Sequence, residues 1–161
     1  MSRNPIKEQW MQVTSDPVPA HPRPVFLNDM VIAANQKRYL SRADVASRVG
    51  LVILSLTQFD SQQAWLNLAD TVNMSEAFAR ARVGSGPQAD EVVLLAQQAL
   101  YATHQRYAKY GTWTMESNES EALHWLLRLH SLQLVACSLG EFHAAMKSLE
   151  DGRVENRRPM R

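Results

Sequence analysis

The chain has 161 residues, and at about 100–200 residues per domain that length sets the expectation of a single domain. Apolar residues make up 45% and charged residues 20%, ordinary globular usage, so global disorder and fibrous repeats are excluded as starting points. Seventeen Lys and Arg against sixteen Asp and Glu leave a formal net charge of +1, which excludes the strong overall positive field of a dedicated nucleic-acid coat protein.

Residues 1–40 read as a Pro-rich N-terminal arm. Five of the seven prolines, Pro5, Pro17, Pro19, Pro22 and Pro24, lie there, and proline biases both itself and its predecessor to extended geometry. Trp10, Met11, Val25, Phe26 and Leu27 are apolar enough for parts of the arm to dock on the body or on a second copy of it.

From Ser41 the pattern changes to helix. Ser41 with Asp44 resembles a helix start, and Val45, Val49, Val52, Ile53 and Leu56 recur at helical spacing, predicting a first helix over 41–58. Asp60 with Gln63 makes a second capping pair, and Trp65, Leu68, Ala69, Val72 and Ala79 mark the stripe of a helix that stops before Gly84. After the break Gly84-Ser85-Gly86-Pro87, Pro87 suits a first turn and Asp90 and Glu91 suit the positive end of a helix dipole, so a third helix covers 88–110 with Gly111 as terminator. Thr112–Met115 is an extended link. Asn118 and Glu121 then open a last helix that runs to Glu150, its main stripe formed by Leu123, Leu126, Leu127, Leu134 and Cys137. Leu129, Leu132, Ala136 and Leu139 widen that stripe, and so broad a face wants more than one neighbour. At ~1.5 Å per residue such a helix stands near 45 Å, so either Gly140 breaks it or the overhang packs on another subunit.

Short links between helices favour antiparallel neighbours. The expected fold is therefore all-α, an antiparallel up-down bundle of about four helices over 41–150, preceded by the arm and followed by a flexible basic tail over 151–161. Arg153, Arg157, Arg158 and Arg161 supply the tail's charge. There is no run of eighteen apolar residues and no charged-then-apolar N-terminus, so neither a membrane span nor a secretory signal is expected. The single cysteine, Cys137, sits in an apolar run and reads as a buried small side chain in a reducing, cytoplasmic compartment.

Chemistry has few footholds. His124 and His130 are six apart and point in different directions on one helix, His143 is far from both, and no second cysteine completes a zinc set. His130 lies on the apolar stripe and reads as a hydrogen-bonded core histidine, while His104 and His143 read as surface. Cys137 lacks the local signature of a nucleophile. Val83–Pro87 has two glycines before a helix but neither the Lys-Ser/Thr of a P-loop nor a third glycine, so a plain interhelical turn is expected. No catalytic residue, cofactor or metal is assigned, and the chain is read as a non-enzyme.

Two constellations point to binding. Ser41–Gly50 resembles the opening of a helix-turn-helix, but Leu51–Leu56 is too apolar for a major groove, which favours a continuous core helix. Tyr101, His104, Arg106, Tyr107, Lys109, Tyr110 and Trp113 interleave aromatic and basic groups, and helix-end packing with an interface rim is favoured over base stacking. The candidate partner-binding residues are Trp10, Phe26, Tyr107, Tyr110 and Trp113. Residues 1–50 carry seven Lys and Arg against four Asp and Glu, and Arg23, Lys37, Arg38, Arg42 and Arg48 form the alternative, a phosphate-facing patch.

The order Arg23-Pro24-Val25-Phe26-Leu27-Asn28, Leu68–Ala77, a Gly-x-Gly turn, Gln98-Ala99-Leu100, Tyr110-Gly111-Thr112-Trp113 and Glu121-Ala122-Leu123 with Leu129–Leu134 resembles small uncharacterised helical proteins of proteobacterial prophages and other mobile elements. The likeness spans residues 23–150. Members look like Leu-x-Leu-His-Asp-x-Gln in the last helix, whereas this chain has Ser131 after His130. The resemblance implies a bacterial or phage cytoplasmic origin and a non-enzymatic accessory role. The expected function is binding that regulates or inhibits a host or phage protein, from a homo-oligomer, with nucleic-acid binding as the alternative.

Overall fold

The computed structural model describes residues 6, 9, 10, 38–84 and 86–156. They are all-α, in five helices: α1 (Arg42–Thr57), α2 (Gln62–Arg80), α3 (Ala89–Tyr110), α4 (Ser117–Ala136) and α5 (Leu139–Asn156). Among the described residues the only extended pairing is an isolated antiparallel bridge between Tyr39 and Ser138. No helix among them is long and apolar enough to cross a membrane.

Side-chain caps set most helix starts. The Ser41 hydroxyl accepts the Asp44 N–H at 3.1 Å and opens α1, which runs unbroken through the stretch that resembled a helix-turn-helix. In α2 the cap is Ser61, accepting from the Ala64 N–H at 3.2 Å, one residue later than the expected Asp60. Glu116 with Glu119 forms the capping box of α4, in place of the expected Asn118 and Glu121.

The ends of α2 and α3 use left-handed backbone. At the end of α2 the Val83 N–H donates to Phe78 C=O at 2.9 Å and the Arg82 N–H to Ala79 C=O at 3.1 Å, the bond pair of a Schellman stop, with Arg82 at φ 57° where glycine is usual. Phe78 and Val83 pack together in the core, which anchors the stop. Gly111, at φ 73°, ends α3 as expected, its N–H bonded to Tyr107 C=O at 2.7 Å.

The single long helix expected over 118–150 is two. Chain direction changes at Cys137 and Ser138, three residues before the break considered at Gly140, which lies inside α5. A reciprocal capping box holds the corner: the Ser138 N–H donates to the Glu141 carboxylate at 3.0 Å and the Glu141 N–H to the Ser138 hydroxyl at 3.1 Å. The Leu139 N–H donates to Arg38 C=O, so the end of the expected arm is tied to this corner. Helix α5 also continues to Asn156, through the start of the expected tail.

Helix α2 is central, packing against α1, α3, α4 and α5, while α4 packs against α1, α2 and α3. Small residues make this position workable: Ala64, Ala69, Thr71 and Ser75 are buried on α2 along with Trp65, Leu68 and Phe78, so neighbours approach from several sides. One apolar cluster joins α1–α4 around Trp65, Leu68, Leu100 and Leu126, and Trp10 is part of it. A second, around Phe78, Leu134, Cys137 and Phe142, joins the far end of α2 to α4 and α5.

Candidate functional site

Trp113, in the link between α3 and α4, organises an aromatic cluster. Tyr107 stacks on it with ring centroids 4.0 Å apart and planes within 4°, Phe59 meets it edge-on at 6.0 Å, and Trp65 lies at 6.2 Å with its plane inclined by 30°. His104 sits against both tryptophans, at 5.2 Å from Trp65 and 6.3 Å from Trp113, so it is half-buried packing rather than the expected surface histidine. Trp65 is fixed from beneath, its indole N–H donating to Leu100 C=O at 3.0 Å.

Arg106 locks the link that carries Trp113. One Nη donates to Thr114 C=O at 2.8 Å, and the two Nη atoms grip the Glu119 carboxylate at 3.0 Å each. Glu119 in turn accepts the Glu116 N–H at 2.9 Å, so one buried carboxylate both starts α4 and anchors α3 to it. The hydrogen bond to Glu119 is the main reason the Arg106 pKa lies above its ordinary value, with burial acting against it.

The structure brings together only part of the expected partner-binding set. Tyr107 is 39% exposed and Tyr110 66% exposed, both at the C-terminal end of α3, with Trp113 half-buried behind Tyr107 and the Lys109 ammonium 5.1 Å from the Tyr110 ring. Trp10 is a core residue instead. It is 1% exposed, packs 5.9 Å from Trp65 and donates its indole N–H to the Asn73 side chain at 2.9 Å, so it is no surface anchor. Phe26 lies outside the described residues.

The basic patch is divided likewise. Arg38 and Arg42 are exposed, whereas the Arg48 guanidinium lies 4.2 Å over the Phe142 ring. Burial pushes the Arg48 pKa below its ordinary value against the raising influence of Asp44, and so half-sunk a cation is turned inward rather than to a phosphate. Arg23 and Lys37 lie outside the described residues.

His130 is in the core, as its place on the stripe suggested. Its Nδ1 is 3.1 Å from the Ser75 hydroxyl, and the Gln133 amide donates to Ser75 C=O at 3.1 Å. Burial, aided by the positive charge of Arg48, holds the His130 pKa down to about 4. Cys137 is fully buried and its thiol is pushed up to about 11, again by burial first, which makes it a packing group and not a thiolate. Ser131, beside His130 in the chain, donates to Leu127 C=O at 2.7 Å within its own helix. Among the described residues no three His, Cys, Asp or Glu converge in a way that would hold a metal ion.

One surface was missed by the sequence reasoning. On α4, Trp125 is 51% exposed, Leu132 64% and Val135 65%, opposite the buried Leu123, Leu126, His130 and Leu134. The Arg128 guanidinium lies 5.0 Å over the Trp125 ring. Leu132 and Ala136, counted with the core stripe by sequence, face outward. The signal was present in the four-three-four-three spacing of Glu121, Trp125, Arg128, Leu132 and Val135, a second seam on one helix.

No family model, curated protein or solved structure matches this chain.

Proposed function

We propose that this chain is a non-enzymatic binding module, an accessory protein of a phage or mobile element that regulates or inhibits a host or phage protein. Its frame in this reading is an antiparallel up-down arrangement of the helices, and it works in the cytoplasm as a homo-oligomer. The observation that carries the proposal is the aromatic end of α3, where Tyr107 and Tyr110 are exposed beside Lys109 and backed by Trp113. Tyrosines with an apolar ring and a polar tip, held on a rigid base, bury large area at small entropic cost, the usual composition of an interface anchor.

The rigidity comes from Arg106 and Glu119, which clamp the link under the aromatic pair. The inward turn of Arg48 removes one of the five cations from the alternative phosphate-facing patch. The test is a tagged full-length chain beside its Tyr110→Asp variant, each used to capture proteins from bacterial lysate with and without nuclease. A protein retained after nuclease by the parent and lost by the variant, with the two melting alike, is the expected result. Identical retained sets, or a set that vanishes with nuclease, would overturn it.

A further inference from the structure

The two apolar clusters are parted by buried polar groups. Along α1, Val52 and Leu56 of the first cluster give way to Val49 and Val45 of the second, along α2 Val72 gives way to Met74, and along α4 Leu129 gives way to Leu134. Beside those changes lie Arg48, Ser75, and His130 with Gln133. The last three are buried and bonded in one layer, the Ser75 hydroxyl to His130 and the Ser75 C=O to the Gln133 amide. Helix α3 enters only the first cluster and α5 only the second.

On the second cluster's side of this layer, residues 38–49 and α5 form one piece. The Leu139 N–H donates to Arg38 C=O, Tyr39 is bridged to Ser138, Arg48 lies over the Phe142 ring, and Val45 and Val49 pack in the cluster of Phe142 and Ala145. Two chain connections lead from this piece to the other helices. One is the corner at Cys137 and Ser138, where extended backbone at Cys137 ends α4. The other is Gly50, inside α1 between Val49 and Val52. Glycine is a far poorer helix former than alanine, and no atom lies within 4 Å of a Cβ built at Gly50, so packing does not call for it there.

We infer that residues 38–49 and α5 open as one unit from a body of α2–α4 and the second half of α1, hinged at Gly50 and at the Cys137–Ser138 corner, and that a proton on His130 drives the opening. The surrounding charges give the direction. Towards His130, α1 presents the Arg48 guanidinium with Asp44 beside it, and α2 presents the Ser75 hydroxyl. The Glu76 carboxylate of α2 is held by Arg80 and by Gln97 of α3, and Glu141 of α5 bears on Cys137. A proton on His130 therefore adds buried positive charge beside Arg48. Opening carries Arg48 away with Phe142 and lets water reach the imidazole, while closing covers Met74, Phe78 and Leu134 of the body and is favoured when His130 is neutral. Tyr107 and Tyr110 belong to the body, so the opening is independent of the binding proposed at them.

The test is amide hydrogen exchange of the full chain, followed by mass spectrometry and corrected for the intrinsic pH dependence of exchange, for the parent, His130→Gln and Gly50→Ala at pH 7.5 and pH 5. In the parent at pH 7.5, peptides from 42–49 and 139–149 should exchange together and faster than peptides from α3. From pH 7.5 to pH 5 their opening should rise about thirtyfold, the effect of an imidazole that titrates near 6.5 when open and at about 4 when closed. In His130→Gln that rise should be lost. Gly50→Ala, which strengthens α1 alone, should slow the distant α5 peptides about fivefold, the helix-propensity difference between the two residues. Exchange of all the helices through a single opening overturns the division into two units. A parent without the rise, or a rise that survives in His130→Gln, overturns the role of the histidine, and α5 peptides indifferent to Gly50→Ala overturn the hinge.

Discussion

Neutral His130 makes stability depend on pH in a window that can be calculated. In the unfolded chain an imidazole titrates near its ordinary 6.5, whereas in the fold burial first and Arg48 second hold His130 to about 4. Between those values the unfolded chain binds the additional proton, so stability is full above pH 6.5, falls as pH drops through the window, and levels off below about 4. At about 1.4 kcal/mol per unit the whole window is worth on the order of 3 kcal/mol, and about 2 kcal/mol of it is lost by pH 5. The assay is urea unfolding of the parent and of His130→Gln at pH 7.5, 6 and 5. Gln keeps a polar group beside Ser75 but does not titrate, so other ionisations cancel in the comparison. The parent should lose about 2 kcal/mol more than the variant between pH 7.5 and 5. Equal losses would refute the reasoning, and Arg48→Met should shrink the difference without abolishing it, since burial is the larger cause.

Other perturbations test the frame. Arg106→Ala leaves the buried Glu119 carboxylate without its cation, and because Arg106 is 21% exposed the cost should sit at about 2–3 kcal/mol, below the full penalty of breaking a buried pair, read by urea unfolding. Gly84→Ala puts a Cβ 3.0 Å from Leu132 C=O, Gln133 Cα and Ala136 Cβ at φ +55°, and should cost at least about 1–2 kcal/mol from the backbone strain, whereas Arg82→Gly relieves left-handed strain and should raise the melting temperature. Trp10→Ala empties a site on Trp65 and should cost about 3–5 kcal/mol, and a change below 1 kcal/mol would show that Trp10 is not a core residue in solution.

Helix type and the limits of α1 and α3 were legible because their signals are local. Ser41, Asp90, Glu91 and Gly111 act within one turn of the backbone they satisfy. The start of α4 was misplaced by two residues since two capping pairs compete there, Glu116 with Glu119 and Asn118 with Glu121, and what selects the first is Arg106, thirteen residues earlier in the chain than Glu119. The docking of Trp10 depends on Asn73, sixty-three residues away, which no local pattern can reveal.

The last helix shows most clearly how a tertiary demand hides inside a continuous pattern. Leu134, Cys137, Phe142 and Ala145 are all buried in one cluster, so hydrophobic spacing alone carries the helix across residue 137 without interruption. The turn is nevertheless written as Ser138-Leu139-Gly140-Glu141, a capping box that a search for starts inside helices would have found. Breaking there lets Phe142 and Ala145 fold back onto α2 and frees the C-terminal end of α4 from any overhang. The breadth of the apolar pattern then has a different cause from the one its length suggested. Two stripes on opposite sides of α4 were summed into one wide face, the first meeting the bundle and the second meeting solvent at Trp125, Leu132 and Val135. Period alone cannot tell these apart, because both repeat at the same spacing, and only the positions of the neighbouring helices assign one inward and the other outward.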